Sequence, residues 1–157
     1  MSATARLEPP GEAAGGSLYE RDFYTWAMRQ ATLLRERRLD ELDVENVAEE
    51  IESLGRSEAS ELKSCLRIIL GHLLKWQHQP ARRSRSWRNT LGRERDNFDV
   101  ILEENPGLKS RQLELFAKAY RVARKDAARE TGLSLERFPL ECPYSLDQAL
   151  DEEFWPG

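Results

Sequence analysis

The chain has 157 residues, 33% of them charged, and a net charge of only −4, so its overall field points to no particular partner. That length suits one domain with a real core, and 9 Gly and 7 Pro beside so many charges read as helical and soluble. No apolar run is long enough to span a membrane, residues 1–17 lack a signal-peptide core, and the two cysteines, Cys65 and Cys142, have no metal or redox spacing; free thiols and a cytoplasmic location follow as expectations.

Residues 1–17, MSATARLEPPGEAAGGS, are small, polar and rich in Pro and Gly, which predicts a flexible arm ahead of a single domain over 18–157. The first helix is predicted from about Glu20 to Arg37. Tyr19, Phe23, Trp26, Gln30 and Leu33 repeat at four–three spacing and form a heavy aromatic face. Such a face is read as core before it is read as a platform for bases.

LDELD at 39–43 is a turn, and Asp43 is placed to cap the next helix with Asn46 three residues on. That second helix is expected to bury Val44, Val47, Ala48, Ile51 and Leu54 and to turn Glu45, Glu49, Glu50 and Glu52 to solvent. Gly55 followed by Ser57 favours a break or kink before the third helix. In the third, Leu62, Leu66, Ile69, Leu73 and Trp76 share a face, while Cys65, Ile68, Leu70 and Leu74 cover much of the remainder. A helix apolar nearly all round sits in the middle of a bundle. Pro80 stops it near Gln79.

A fourth helix is expected from Ser84 or Ser86 to about Glu104, with Trp87, Leu91, Phe98, Ile101 and Leu102 inward. Glu94 interrupts that face and is read as a partly exposed acid paired with an arginine. Asn105-Pro106-Gly107 ends the helix. The fifth runs from about Ser110 to Thr131 with Leu113, Phe116, Ala117, Tyr120, Ala123 and Ala127 as its stripe and Gly132 as its C-terminal cap. Ser134 opens a short turn and Ser145 a short last helix. Phe138, Tyr144, Leu146, Leu150, Phe154 and Trp155 bring this tail back onto the bundle. With no alternating strand pattern, the chain reads as all-α: about five main helices and a short C-terminal helix packed across them.

Charge is unevenly placed. Residues 40–62 carry nine acids and one base, and residues 75–95 seven bases and one acid, which suggests that the two stretches meet within a chain or across a dimer. With two histidines, three-histidine zinc is excluded, and Ile69 and Lys75 stand where a di-iron Glu-x-x-His motif needs acids, so no metal site or cofactor is expected. His72 with Glu49, Glu52 or Glu94 could form a small catalytic or metal pocket, against the blander reading of a hydrogen-bonded structural histidine. Arginines at 82–95 beside Trp76 and Trp87 could grip nucleic acid, against self-neutralisation by the acidic stretch. No phosphate-loop, dinucleotide or serine-nucleophile signature exists, which weighs against an enzyme.

Tyr19-Glu-x-Asp22-Phe-Tyr-x-Trp26, DVENVAEEIESLGRSE (43–58), HLLKWQHQPARRSRSW (72–87) and the terminal ECPYSLDQALDEEF resemble, in order, the blocks of the bacterial family called domain of unknown function 29. The resemblance spans about Tyr19 to Trp155. It implies an all-helical fold and brings no established activity, and it would place any site around Glu49, Glu52, Arg56, His72, Lys75, Trp76, Arg83 and Trp87. The sequence reading that follows is a helical interaction or assembly module, expected as a homodimer or with a protein partner and no membrane. Nucleic-acid binding and the His72 pocket stand as its alternatives.

Overall fold

A computed structural model of the protein describes residues 16–157. The expected arm lies outside the described residues except for Gly16 and Ser17. The described residues are all-helical, with no strand among them: α1 (Leu18–Arg21), α2 (Phe23–Arg35), α3 (Val44–His78), α4 (Arg85–Glu104), α5 (Gln112–Thr131) and α6 (Leu146–Leu150). The chain divides into two compact units, one ending at Ser53 and the other spanning Leu54–Gly157, with α3 running through the division.

In the first unit the expected single helix is two. Asp22 separates them: its carboxylate accepts the Thr25 N–H at 3.0 Å and so caps α2. Ser17 and Glu20 form a capping box at the start of α1. Trp26, Gln30 and Leu33 are buried, as their spacing implied, whereas Phe23 is half exposed. Asp43 ties this unit together. It accepts the Trp26 indole N–H at 2.9 Å and the Asn46 side-chain amide at 2.8 Å, and its own backbone N–H donates to Gln30 Oε1 at 2.8 Å. The Asn46 and Trp26 donors hold the Asp43 carboxyl below its ordinary range. The Tyr19 hydroxyl donates to Glu50, which raises the phenol.

α2 ends in a Schellman motif, with Arg38 N–H on the Leu33 carbonyl at 2.9 Å and Arg37 N–H on Leu34 at 3.1 Å. Arg37 takes the left-handed position at φ 57° that glycine usually fills.

Two expectations fail on α3. No break occurs at Gly55: the helix is continuous for 35 residues. Gly55 has helical neighbours on both sides, and a Cβ there would meet nothing within 4 Å, so it costs only helix propensity. The apolar set before it is not buried. Val44, Ile51 and Leu54 are 57%, 62% and 69% exposed, Ala48 is exposed and Val47 is half-buried.

In the second unit the later part of α3 is the hub. Leu62, Leu66, Ile69, Leu70, Leu73 and Leu74 are fully buried. Leu91 and Phe98 of α4 share their core with Leu115, Phe116, Ala119, Tyr120, Ala123 and Ala127 of α5. Leu115 and Ala119 replace the expected Leu113 and Ala117, both exposed, while Phe116, Tyr120, Ala123 and Ala127 face inward as expected. Ser84 caps α4 and left-handed Gly132 closes α5. Phe138 and Tyr144 bring the tail into the core, with Leu146, Leu150, Phe154 and Trp155 packed on it. Ser145 caps α6 with a capping box, and the helix stops at Leu150. No helix among the described residues is long and apolar enough to cross a membrane.

Because Gly55 is helical, exposed and uncrowded, Gly55→Ala should raise unfolding free energy by about 0.5–1 kcal/mol in urea titration. A loss of stability would show that the helix needs a glycine there.

Candidate functional site

The second unit gathers its aromatic and basic residues at the C-terminal end of α3. Trp76 lies 5% exposed, its ring 4.7 Å from that of Trp155. Arg83 and Arg88 lie over Trp76 at 5.0 and 5.2 Å, and Arg88 and Arg95 over Trp155 at 5.5 and 5.6 Å. Arg83 sits just past the turn that Pro80 imposes. From there its Nε donates to the Trp76 carbonyl at 2.9 Å and its Nη2 to the Gly157 carbonyl at 2.7 Å. Lys75, 9% exposed, pairs with Glu130 at 2.8 Å and places its ammonium 5.2 Å from the Trp87 ring.

His72 stands beside this stack. Its Nδ1 is 2.9 Å from the Ile68 carbonyl one turn back, so Nδ1 carries the proton that makes this bond, and its ring meets the Trp87 edge. Burial first, and Lys75 second, hold the imidazole below its ordinary value. The Ile68 bond orients the ring through Nδ1 and makes Nε2 the unprotonated nitrogen.

Lys75, Trp76, Arg83 and Trp87 therefore assemble, with His72 against Trp87. Arg56 does not join them: it stands on α3 some 16 residues before His72, about 24 Å along the helix. Glu49 and Glu52 belong to the first unit. No group of three or more His, Cys, Asp or Glu among the described residues could hold a metal ion.

Two residues with functional weight escaped the sequence reading. Arg95, 3% exposed, turns inward, where its Nε donates to the Ala149 carbonyl at 2.9 Å and its Nη2 to Phe154 at 3.4 Å. Its place at the end of the expected basic stretch gave no sign of burial. Trp155 was read only as tail packing, yet it supplies half of the stack. Glu94 does pair with Arg93, at 3.1 Å, but it is buried at 6% rather than partly exposed. It lies near the Cys65 thiol in a cleft of about 450 Å³. Burial and Glu94 push that thiol up to about 12, which leaves Cys65 protonated and unreactive.

Within the basic stretch, Lys75 pairs with Glu130 and Arg93 with Glu94.

Residues 18–155 match the family described as Domain of unknown function DUF29. The chain belongs to that family. Its family description assigns no activity, and neither the curated proteins nor the solved structures contain a match to this DUF29 chain.

A histidine held neutral by burial stabilises the fold only while it stays unprotonated. The unfolded chain takes up its proton first, at about pH 6.5, so the His72 contribution is complete above that value and is lost as pH falls through it towards the lower folded value. The urea midpoint should drop between about pH 7.5 and 5.5, and less steeply in His72→Asn, whose amide can still reach the Ile68 carbonyl. His78, also held low by burial, leaves a residual slope in the variant. Equal slopes in the two proteins would remove His72 from the pH response.

Proposed function

We propose that this DUF29 protein is an assembly module rather than a catalyst, and that it pairs with a second copy of itself through the N-terminal part of α3. One observation carries the reading: the apolar stripe of Val44, Val47 and Ile51 sits at the three–four spacing of a helix-pairing seam and is left largely uncovered. Leu54, also exposed, continues the same spacing.

Charge favours a like copy as the occupant. At 100° per residue the stripe residues fall within an arc of about 60°, while Glu45, Glu49 and Glu52 centre on the opposite side of the helix. Two copies meeting stripe to stripe keep these acids apart and bury only apolar side chains. A two-fold pairing of this kind closes on itself without leaving a further sticky face.

Sedimentation velocity across a concentration series tests this. The protein should form a concentration-dependent dimer that is insensitive to salt, because the seam is apolar. Ile51→Lys should shift it to monomer with unchanged helical circular dichroism. Leu113→Lys, at an equally exposed apolar position on α5, should leave the dimer intact. A monomer at about 100 µM, or a dimer indifferent to Ile51→Lys, overturns the reading.

A further inference from the structure

Behind the tryptophan stack opens a cleft of about 330 Å³ lined by Trp76, Arg83, Ser84, Arg85 and Arg88. Three arginines line one small space, and no Asp or Glu lines it. Arg83, Arg85 and Arg88 pair with no Asp or Glu side chain among the described residues. Like charges held so close repel one another, and a bound anion would relieve that repulsion.

The geometry points to this cleft as a binding site for a phosphomonoester, independently of any self-pairing through α3. Arg88 is clamped against both Trp76 and Trp155, and Arg83 is fixed by the Trp76 and Gly157 carbonyls, so both guanidiniums are oriented before a ligand arrives. Arg83 spends its Nε and one Nη N–H on those carbonyls and keeps its other N–H groups. Arg85 is exposed at the mouth. A planar guanidinium offers paired N–H donors that match two phosphate oxygens, and a dianion uses several such forks where a single carboxylate saturates one. The Ser84 hydroxyl accepts the Trp87 N–H at 3.2 Å and still has its own proton to donate.

A nucleic-acid strand fits this corner less well. Stacking on bases needs open aromatic faces, and Trp76 is buried under Arg83, Arg88 and Trp155. Arg95, which a strand would also need, is turned inward onto carbonyls. The cleft takes a compact anion carrying a small organic group.

The test follows the indole N–H signals of the full chain by NMR while inorganic phosphate, or ribose 5-phosphate, is added at constant ionic strength to about 10 mM. The Trp76 signal should shift saturably with both, and the ester should bind more tightly because the cleft exceeds a bare phosphate. Arg85→Gln and Arg88→Gln should each weaken binding about tenfold or more, the cost of losing one charged hydrogen-bonding partner. Arg82→Gln, a neighbour that does not line the cleft, should bind as the wild type does. Arg85 packs against neither indole, so its variant stays informative even if Arg88→Gln disturbs the stack. An equal shift from chloride, or wild-type affinity in Arg85→Gln, overturns the site. So does a single-stranded oligonucleotide that binds more tightly than the ester and loses that affinity in Arg85→Gln, since it would make the corner a polyanion surface.

Discussion

A helix that is apolar nearly all round cannot be satisfied by one neighbour, and this constraint shapes the second unit. Between Leu62 and Leu74 the side chains of α3 are apolar and buried on most sides, with Ser64 and Arg67 exposed along one strip. Each leucine or isoleucine there gains about 1.5–3 kcal/mol on leaving water, but only if something covers it. α4 covers part with Leu91 and Phe98, and α5 comes close by presenting Ala119, Ala123 and Ala127. The remaining side falls to a segment with little regular structure, and Phe138 and Tyr144 do that work. The irregular tail is needed for the same reason the helices are.

Where the hub ends, its chemistry changes. Lys75 keeps its stem among apolar groups and its ammonium at Glu130, and Arg95 brings a full charge into the interior. Burial draws the Arg95 guanidinium below its ordinary value, so the charge is held at a cost. Two carbonyls and the face of Trp155 offset it. Both carbonyls belong to the tail, so the arginine that least suits the interior also fastens the least regular segment to it.

How much of this is legible in the sequence depends on what each residue reports. The leucine spacing of 62–74 records burial directly, because most sides of the helix are apolar, and the Ser84, Gly132 and Ser145 caps are local devices with local signals. Val44, Ile51 and Leu54 show the limit: periodicity says that a face is apolar, not that the chain itself covers it. Gly55 reads as a stop because glycine at a helix end is common, yet with acids and good helix formers on both sides the propensity cost is too small to interrupt α3. At Arg37 the reverse holds, since the helix stops with no glycine to announce it. Of the candidate site, the block from Lys75 to Trp87 is visible because its members are close in sequence. Trp155 and the inward turn of Arg95 depend on contacts across more than fifty residues, which no local spacing encodes.

The placement of the indoles gives the molecule its own optical labels. Of the four tryptophans, Trp76, Trp87 and Trp155 share the arginine corner, where cations and neighbouring rings sit close enough to alter their emission. Trp26 stands alone in the first unit, its N–H on Asp43. Intrinsic fluorescence therefore carries two separable voices, one from each unit, and replacing Trp26 with phenylalanine would leave only the corner to be heard.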